Sequence, residues 1–334
     1  MRKLIIQIPC YNEEGTLGET LLALPREVPG FDVVEWLVID DGSRDRTSAV
    51  AAEYGVNHIV RFPRNRGLAA AFAAGLDEAL RQDADVIVNT DADNQYCADD
   101  IPKLVAPIVR GAADIVVGER PIWQIDDFSW LKKSLQHFGS WIVRVASRTN
   151  IGDAPSGFRA FSREAAIRLN VFNEYTYTLE TIIQAGQKGL AVTSVPIRTN
   201  PKTRPSRLIK SLPIYLTCSA MTILRSFVTY RPFRAFAIPG MVSIVAGLSI
   251  AIRFLAYYLQ GSGGGHIQSL ILSALMLGTG FFLVVTAFVV DLISVNRSLL
   301  ESLGTRVQTL EPKASENSSE SRRAGRFNSV NTES

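Results

Sequence analysis

The sequence of residues 4–42, LIIQIPCYNEEGTLGETLLALPREVPGFDVVEWLVIDDG, holds two short runs of aliphatic and β-branched residues on either side of a longer amphipathic stretch. This pattern predicts a strand over Leu4–Ile8, a helix over Glu14–Leu24 and a second strand over Val33–Ile39. Strands that alternate with helices form βαβ units, in which the strands are parallel neighbours. The stretch therefore predicts an α/β fold with a mostly parallel sheet.

The same alternation continues through the first two-thirds of the chain. Further strands are predicted at Asn57–Arg61, Ala84–Thr90, Ile115–Val117 and Ala191–Pro196. Further helices are predicted at Asp45–Tyr54 with Gly55 as its stop, Leu68–Arg81, about 130–148 and Thr178–Lys188. We therefore expect one domain over residues 1–200.

Composition excludes some classes of protein. The net charge of +3 on 334 residues does not indicate a strongly basic nucleic-acid surface, so we expect no nucleic-acid partner. The three cysteines, Cys10, Cys97 and Cys218, lie far apart and form no CxxC pair, which argues against a zinc site and against a disulfide framework. The N-terminus lacks the apolar run of a signal peptide, so we expect it to stay in the cytoplasm.

The mean hydropathy of +0.12 is high for a soluble protein, and the apolar excess lies after residue 200. Residues 201–234 mix apolar side chains with basic ones: Lys202, Arg204, Arg207, Lys210, Arg225, Arg231 and Arg234. This composition predicts an amphipathic segment on an anionic membrane surface.

Two apolar spans follow, Phe236–Tyr258 and Gln268–Val290. Each exceeds the roughly 20 residues that cross a bilayer, although a buried core helix is the alternative. Basic residues precede the first span and follow the second, which predicts that both chain ends are cytoplasmic. Arg253 either snorkels to the headgroups or marks a functional polar spot. We expect two transmembrane helices over 235–294 and a cytoplasmic, largely disordered tail over 295–334.

Polar clusters follow the strands. Asp91-Ala92-Asp93 comes directly after a predicted strand, and Gln95 adds an amide oxygen. Carboxylate and amide oxygens suit Mg²⁺ or Mn²⁺, which keep part of their coordination shell for substrate phosphates. A solvated turn rich in aspartate is the alternative. Ligands gather beyond the carboxyl ends of parallel strands, so the clusters predict a site at this edge.

Tyr11-Asn12-Glu13 follows the first predicted strand in the same way. Two other clusters have local explanations as well. Asp40-Asp41-Gly42-Ser43 offers carboxylates to a base or ribose, or forms an Asx-turn in which Ser43 caps the next helix. Arg64–Leu68 opens a helix and offers amides and a guanidinium to a phosphate, or is simply a glycine turn.

The motifs occur in the order and spacing of a known family: Ile8–Glu14 (IPCYNEE), Ile39–Ser43 (IDDGS), Asn65–Gly67 (NRG), Asp91–Gln95 (DADNQ), Gly118–Arg120 (GER) and Asp153–Arg159 (DAPSGFR). Over about residues 3–210 the chain resembles the family 2 glycosyltransferases of the GT-A (Rossmann-like) fold. Within them it is most similar to dolichyl- and polyprenyl-phosphate sugar synthases, and the two spans resemble the bacterial subgroup.

The resemblance implies roles for individual residues. It implies a nucleotide-sugar pocket formed by Pro9, Tyr11, Asn12, Glu13, Ile39, Asp41, Asp91 and Ala92, and a metal held by Asp91, Asp93 and Gln95. It implies catalytic roles for Asp93, Asp153 and Arg120. Lys132, Lys133, Arg204 and Arg207 are candidates for the acceptor phosphate, and Arg207 stands where the family has lysine. Leu68 also departs from the family pattern, which leaves donor recognition at that position open.

The implied function is inverting transfer of a sugar from a nucleotide-diphosphate sugar to a polyprenyl phosphate at the cytoplasmic membrane face, with Mg²⁺ or Mn²⁺ as cofactor. Another lipid or polysaccharide acceptor, and a catalytically silent membrane scaffold, are the alternatives. Two spans are few for moving a glycolipid across a bilayer, so a flippase partner and a homo-oligomer stay open.

Overall fold

The computed structural model describes residues 1–121, 144, 147, 149, 151–171, 177–201, 232–260, 267–294 and 296. The chain divides into two compact units, Met1–Ser226 and Phe227–Ser334. The predicted helix at about 130–148 and the basic segment 201–234 fall largely outside the described residues, and so does nearly all of the 295–334 tail.

The first unit contains a seven-stranded sheet in the order β3-β2-β1-β4-β6-β5-β7 among the residues that the structure describes. The strands are β1 (Lys3–Cys10), β2 (Val33–Asp40), β3 (His58–Arg61), β4 (Val86–Asn89), β5 (Ile115–Glu119), β6 (Arg159–Ser162) and β7 (Val192–Pro196). All neighbours pair in parallel except β6, which is antiparallel to both β4 and β5. The expected mostly parallel α/β fold is confirmed.

Helices lie between these strands. They are α1 (Leu17–Ala23), α2 (Thr47–Glu53), α3 (Leu68–Arg81), α4 (Ile101–Val109), α5 (Arg163–Arg168) and α6 (Thr178–Gln187), with a short 3₁₀ turn at Ala98–Asp100. The bounds of α3 match the prediction, and Gly55 follows α2 with a φ of +67° that favours glycine. Strand β6 and helices α4 and α5 were not predicted.

One hydrophobic core lies against the face of β1 formed by Leu4, Ile6 and Ile8. Because side chains alternate along a strand, these residues share one face, and α1 and α4 cover it with Leu17, Leu21, Ile101 and Leu104. All are buried. Burial of both faces of the parallel strands explains their nearly continuous apolar sequence.

The second unit contains two long apolar helices, α7 (Pro232–Leu259) and α8 (Ile267–Ser294). Each is long and apolar enough to cross a membrane. In the most apolar stretch of 18 residues, only 11% is buried in α7 and 17% in α8. Small residues let the two backbones approach closely: the Ser243 hydroxyl donates to Met276 O (2.8 Å) and the Ser273 hydroxyl to Gly247 O (2.8 Å).

Replacing Gly280 by leucine is expected to weaken this helix pair. A Cβ at Gly280 would lie 2.7 Å from Gly240 O and 2.9 Å from the backbone nitrogen of Ile244, so the helices would have to separate. Gly278→Leu is the matched control, because a Cβ there meets nothing within 4 Å. We expect Gly280→Leu to lower the midpoint of unfolding in detergent, and equal midpoints for the two variants would contradict the packing.

Candidate active site

The three polar loops predicted to converge do follow neighbouring strands. Strands β2, β1 and β4 are adjacent and parallel, with Cys10 opposite Asp40 and Gln7 opposite Asn89. Their carboxyl ends therefore share one edge of the sheet, and the loops that begin after Cys10, Asp40 and Asn89 start there. This juxtaposition makes the edge the candidate site.

The loops after β1 and β2 are joined by hydrogen bonds. The backbone nitrogen of Asn12 donates to the Ser43 hydroxyl (2.9 Å), and its side-chain oxygen accepts from the Arg44 nitrogen (2.9 Å). The φ of +54° at Asn12 suits asparagine better than most residues. Ser43 thus bonds to Asn12 and does not cap α2, which begins later, at Thr47.

Other residues expected in the nucleotide pocket occupy different surroundings. Pro9 and Ile39 pair across β1 and β2 and are buried, so they form part of the framework. Glu13 is also buried and accepts a bond from the Thr16 hydroxyl (2.8 Å). Tyr11 is 39% exposed at the same edge. Contacts of these residues with a nucleotide stay predictions.

Asp41 holds the turn before α3. Its carboxylate accepts from the Asn65 amide (3.0 Å) and from the backbone nitrogens of Arg66 (2.7 Å) and Gly67 (2.9 Å). Burial raises the pKa of the Asp41 carboxyl, and the bonds from Arg66 and Gly67 oppose that rise. Gly42 lies against this turn with a φ of +71°, and a Cβ there would lie 2.4 Å from the Arg64 carbonyl carbon. The loop after β2 and the turn before α3 therefore pack against each other as one unit.

The loop of residues 91–97, which we name the acidic loop, follows β4. Asp91, Asp93 and Gln95 are all half-buried, and Ala92 is buried with its carbonyl accepting from the Thr20 hydroxyl (2.9 Å). The backbone nitrogen of Gln95 donates to Asp93 Oδ1 (3.3 Å).

The oxygen donors of the acidic loop fit a hard divalent cation. Two carboxylates and an amide oxygen are the ligand types that Mg²⁺ and Mn²⁺ prefer, and both ions commonly bind few protein groups. Within the described ranges, no cluster of three or more His, Cys, Asp or Glu side chains is placed to hold a metal. A cation here would therefore need further oxygen ligands, such as those of a diphosphate or water.

A buried polar network packs behind the acidic loop, and no local sequence pattern predicted it. The Gln7 amide donates to Asn89 Oδ1 (2.9 Å), and the Asn89 amide donates to the Gly157 carbonyl (2.9 Å) and the Tyr177 hydroxyl (2.8 Å). The Gly157 nitrogen donates to the Tyr96 hydroxyl (3.0 Å). Burial, together with the charge of nearby Asp91, raises the pKa of Tyr96 to about 12, so this phenol stays protonated.

Gly157 joins this network to the acidic loop. A Cβ at position 157 would lie 3.1 Å and 3.3 Å from the two carboxylate oxygens of Asp91 and 3.2 Å from the Tyr177 hydroxyl. Asp91 therefore packs directly against the glycine of the Ser156-Gly157-Phe158-Arg159 motif, and a larger residue there would have to displace the Asp91 carboxylate.

Arg120 and Asp153 form a bidentate ion pair. Arg120 donates from Nε to Asp153 Oδ2 (2.6 Å) and from one terminal nitrogen to Oδ1 (3.0 Å). Asp153 is fully buried and the Arg120 side chain is 18% exposed. Burial alone would lower the pKa of Arg120, but the charge of Asp153 raises it. Two of the three predicted catalytic residues, Arg120 and Asp153, thus lie together as an ion pair.

Arg159 is fully buried and holds the residues that follow Asp153 by hydrogen bonds to their backbone. Its guanidinium donates to three carbonyls, those of Ala154 (2.6 Å), Ser156 (2.8 Å) and Thr178 (2.7 Å), and to the Thr181 hydroxyl (2.7 Å). Burial lowers the pKa of Arg159 to about 10. Lys132, Lys133, Arg204 and Arg207, the predicted acceptor-phosphate residues, lie outside the described residues.

Comparison with known proteins agrees with this fold and motif set. The sequence profile of "Glycosyl transferase family 2" matches residues 5–169. The chain is 31% identical over 207 residues to an undecaprenyl-phosphate mannosyltransferase of Micrococcus luteus, covering 59% of this chain and 83% of the relative. It is 30% identical over 217 residues to a UDP-N-acetylglucosamine–dolichyl-phosphate N-acetylglucosaminyltransferase of Methanococcus voltae, covering 58% and 83%.

A solved structure shares the fold. It is glucosyl-3-phosphoglycerate synthase from Mycobacterium tuberculosis in complex with Mn²⁺, uridine diphosphate and phosphoglyceric acid, with a TM-score of 0.53 and 19% identity over 69% of this chain and 78% of that chain. The predicted GT-A-like domain is thereby confirmed. From its motifs and these relatives, the chain belongs to glycosyl transferase family 2 and is related, at about 30% identity, to enzymes that transfer sugars to polyprenyl phosphates.

Proposed function

We propose that this protein is an inverting, metal-dependent hexosyltransferase that moves a sugar from a nucleotide-diphosphate sugar to a polyprenyl phosphate. The observation that carries the proposal is the shared sheet edge at which the acidic loop meets the loops after β1 and β2. Two relatives of about 30% identity bear names that specify a polyprenyl-type phosphate acceptor, which supports this acceptor class here.

Asp91, Asp93 and Gln95 would hold Mg²⁺ or Mn²⁺ in this proposal. When bound, the metal supplies Lewis-acid stabilisation of the negative charge on a departing nucleoside diphosphate. The support is that these three side chains offer oxygen donors and lie half-buried just after the end of β4. A magnesium or manganese ion that takes two carboxylates and an amide from the protein keeps positions for the diphosphate.

Arg120 and Asp153 would position the substrates as a unit. A phosphate monoester is already largely dianionic near neutral pH, so an acceptor of this class needs little activation by a base. Asp153, held by two bonds from the Arg120 guanidinium and one from the Arg120 backbone nitrogen, suits a role in orienting a sugar hydroxyl or stabilising positive charge at the anomeric carbon. Arg120 adds positive charge for a phosphate at the same place.

The proposal places the catalytic domain, residues 1–200, on the cytoplasmic side of a membrane. The outward face of α7 and α8 supports a membrane location, because large apolar side chains there, such as Ile252, Leu275, Phe281 and Phe282, are more than half exposed. The cytoplasmic side is proposed from the basic residues that precede the first span and follow the second. In this arrangement residues 201–234 lie at the interface, 235–294 cross the bilayer and 295–334 form the tail. Lys132, Lys133, Arg204 and Arg207 would then hold the acceptor phosphate near the lipid surface.

The test is a product assay. Purified full-length protein in detergent is incubated with undecaprenyl phosphate and a panel of UDP-, GDP- and ADP-sugars, and lipid products are identified by mass. We expect one hexosyl phospholipid from one nucleotide class. A sugar attached to diacylglycerol or to a polysaccharide would replace the acceptor in the proposal, and no transfer or donor hydrolysis with any sugar would favour a silent scaffold.

A further inference from the structure

The four residues Ile197–Asn200, which we name the strap, follow β7 and lie along the acidic loop. Tyr96 and Thr199 form an antiparallel bridge, and the Cys97 nitrogen donates to the Arg198 carbonyl (3.3 Å). The strap is remote from the acidic loop in sequence, by about a hundred residues, and no motif of the sequence pointed to it.

Asn200 donates to three backbone carbonyls of the acidic loop, two of them at short distance and the third, that of Tyr96, at 3.5 Å. Its backbone nitrogen donates to the Gln95 carbonyl (2.9 Å), and its side-chain amide donates to the Asn94 carbonyl (2.8 Å). Asn94 has a φ of +54°, in the left-handed region. One asparagine therefore donates short hydrogen bonds to the carbonyls of Asn94 and Gln95, the two residues that follow Asp93.

The strap is itself firmly attached. The Arg198 backbone nitrogen donates to Asp100 Oδ2 (2.7 Å), and its guanidinium donates to Oδ1 of the same carboxylate (3.0 Å). Lys103 donates to this buried carboxylate as well (2.8 Å). Although burial alone would raise it, hydrogen bonds from Arg198 and Lys103 lower the pKa of Asp100 to about 2, so the anchor stays charged near neutral pH.

The other side of the acidic loop is held by Thr20, whose hydroxyl donates to the Ala92 carbonyl (2.9 Å). The turn is thus fixed on both sides of Asp93, and Asp93 in turn accepts from the Gln95 nitrogen (3.3 Å). We propose that Asn200 is a positioning residue that presets the acidic loop for a divalent cation. This inference rests on the proposed metal site.

The test measures Mn²⁺ binding to the full-length protein without substrate, from the electron paramagnetic resonance signal of unbound Mn²⁺. Asn200→Ala removes the amide and leaves the Asn94 carbonyl without that donor. We expect roughly fivefold weaker binding, which corresponds to the free energy of about one hydrogen bond. Without the bond from Asn200 the turn is less ordered in the free protein, so binding of the cation has to order it. Amide hydrogen exchange over residues 91–97 should also become faster.

Asn57→Ala is the matched control. Asn57 likewise bonds to backbone, accepting from the Trp36 nitrogen (2.9 Å), but it precedes β3 and so lies at the opposite edge of the sheet. We expect unchanged Mn²⁺ affinity in this variant. Equal affinity for Asn200→Ala and wild type would overturn the role of Asn200 alone. Wild-type binding no tighter than that of Asp93→Asn would overturn this inference together with the metal site.

Discussion

Asp93→Asn is expected to reduce sugar transfer by about a hundred- to a thousand-fold, the loss that follows removal of a preorganised electrostatic contact. The amide keeps the shape of the side chain and an oxygen, but it loses the negative charge that would hold a divalent cation. The measurement is the transfer rate to undecaprenyl phosphate at saturating donor, together with Mn²⁺ affinity. Both should fall, while the far-ultraviolet circular dichroism should not change.

The matched control for this charge change is Asp83→Asn. Asp83 is 82% exposed, pairs with Arg163 at 3.5 Å, and has a φ of +58° that asparagine tolerates well. This variant should transfer sugar at the wild-type rate. If Asp93→Asn were as active as Asp83→Asn with Mn²⁺ present, Asp93 would not hold a catalytic metal.

Asp153→Asn is the second large effect that we expect. The substitution removes one partner of a buried pair and leaves the Arg120 guanidinium without its counter-charge, which costs on the order of 3 to 5 kcal/mol when a pair is well buried. We expect a lower melting temperature and about a hundredfold slower transfer. Nucleotide affinity should change little, because the acidic loop keeps its own contacts.

A double variant separates stability from catalysis. Asp153→Asn combined with Arg120→Gln leaves two neutral groups, so much of the lost stability should return because no unpaired charge is left buried. The transfer rate should stay low, because neither charge is restored. Recovery of both stability and activity in the double variant would show that the pair only supports the loop.

The sequence predicted the parts of this fold that local patterns specify. The spacing of apolar residues gave α3 without error, and Gly55 marked the end of α2. The strand-end position of Asp91 followed from the predicted strand Ala84–Thr90, within which β4 occupies Val86–Asn89, and the parallel order of strands then brought three polar loops to one edge. Periodicity, turn chemistry and topology rules sufficed for these features.

Features that depend on distant contacts were not predictable in this way. Strand β6 is four residues long and begins with a fully buried arginine, so its sequence does not resemble a strand. The partnership of Arg120 with Asp153 spans 33 residues and that of Asn200 with Asn94 spans 106. Motif spacing identified Arg120 and Asp153 as candidates, but only the folded chain brings them into contact.

The most direct measurement is transfer to undecaprenyl phosphate by the purified full-length protein before and after all divalent ions are removed with a chelator. The account predicts that transfer falls to background and returns when Mn²⁺ or Mg²⁺ is restored. The Asp93→Asn protein should show no such return. An unchanged transfer rate in the metal-free protein would contradict the central claim that a cation at the acidic loop supports departure of the nucleoside diphosphate.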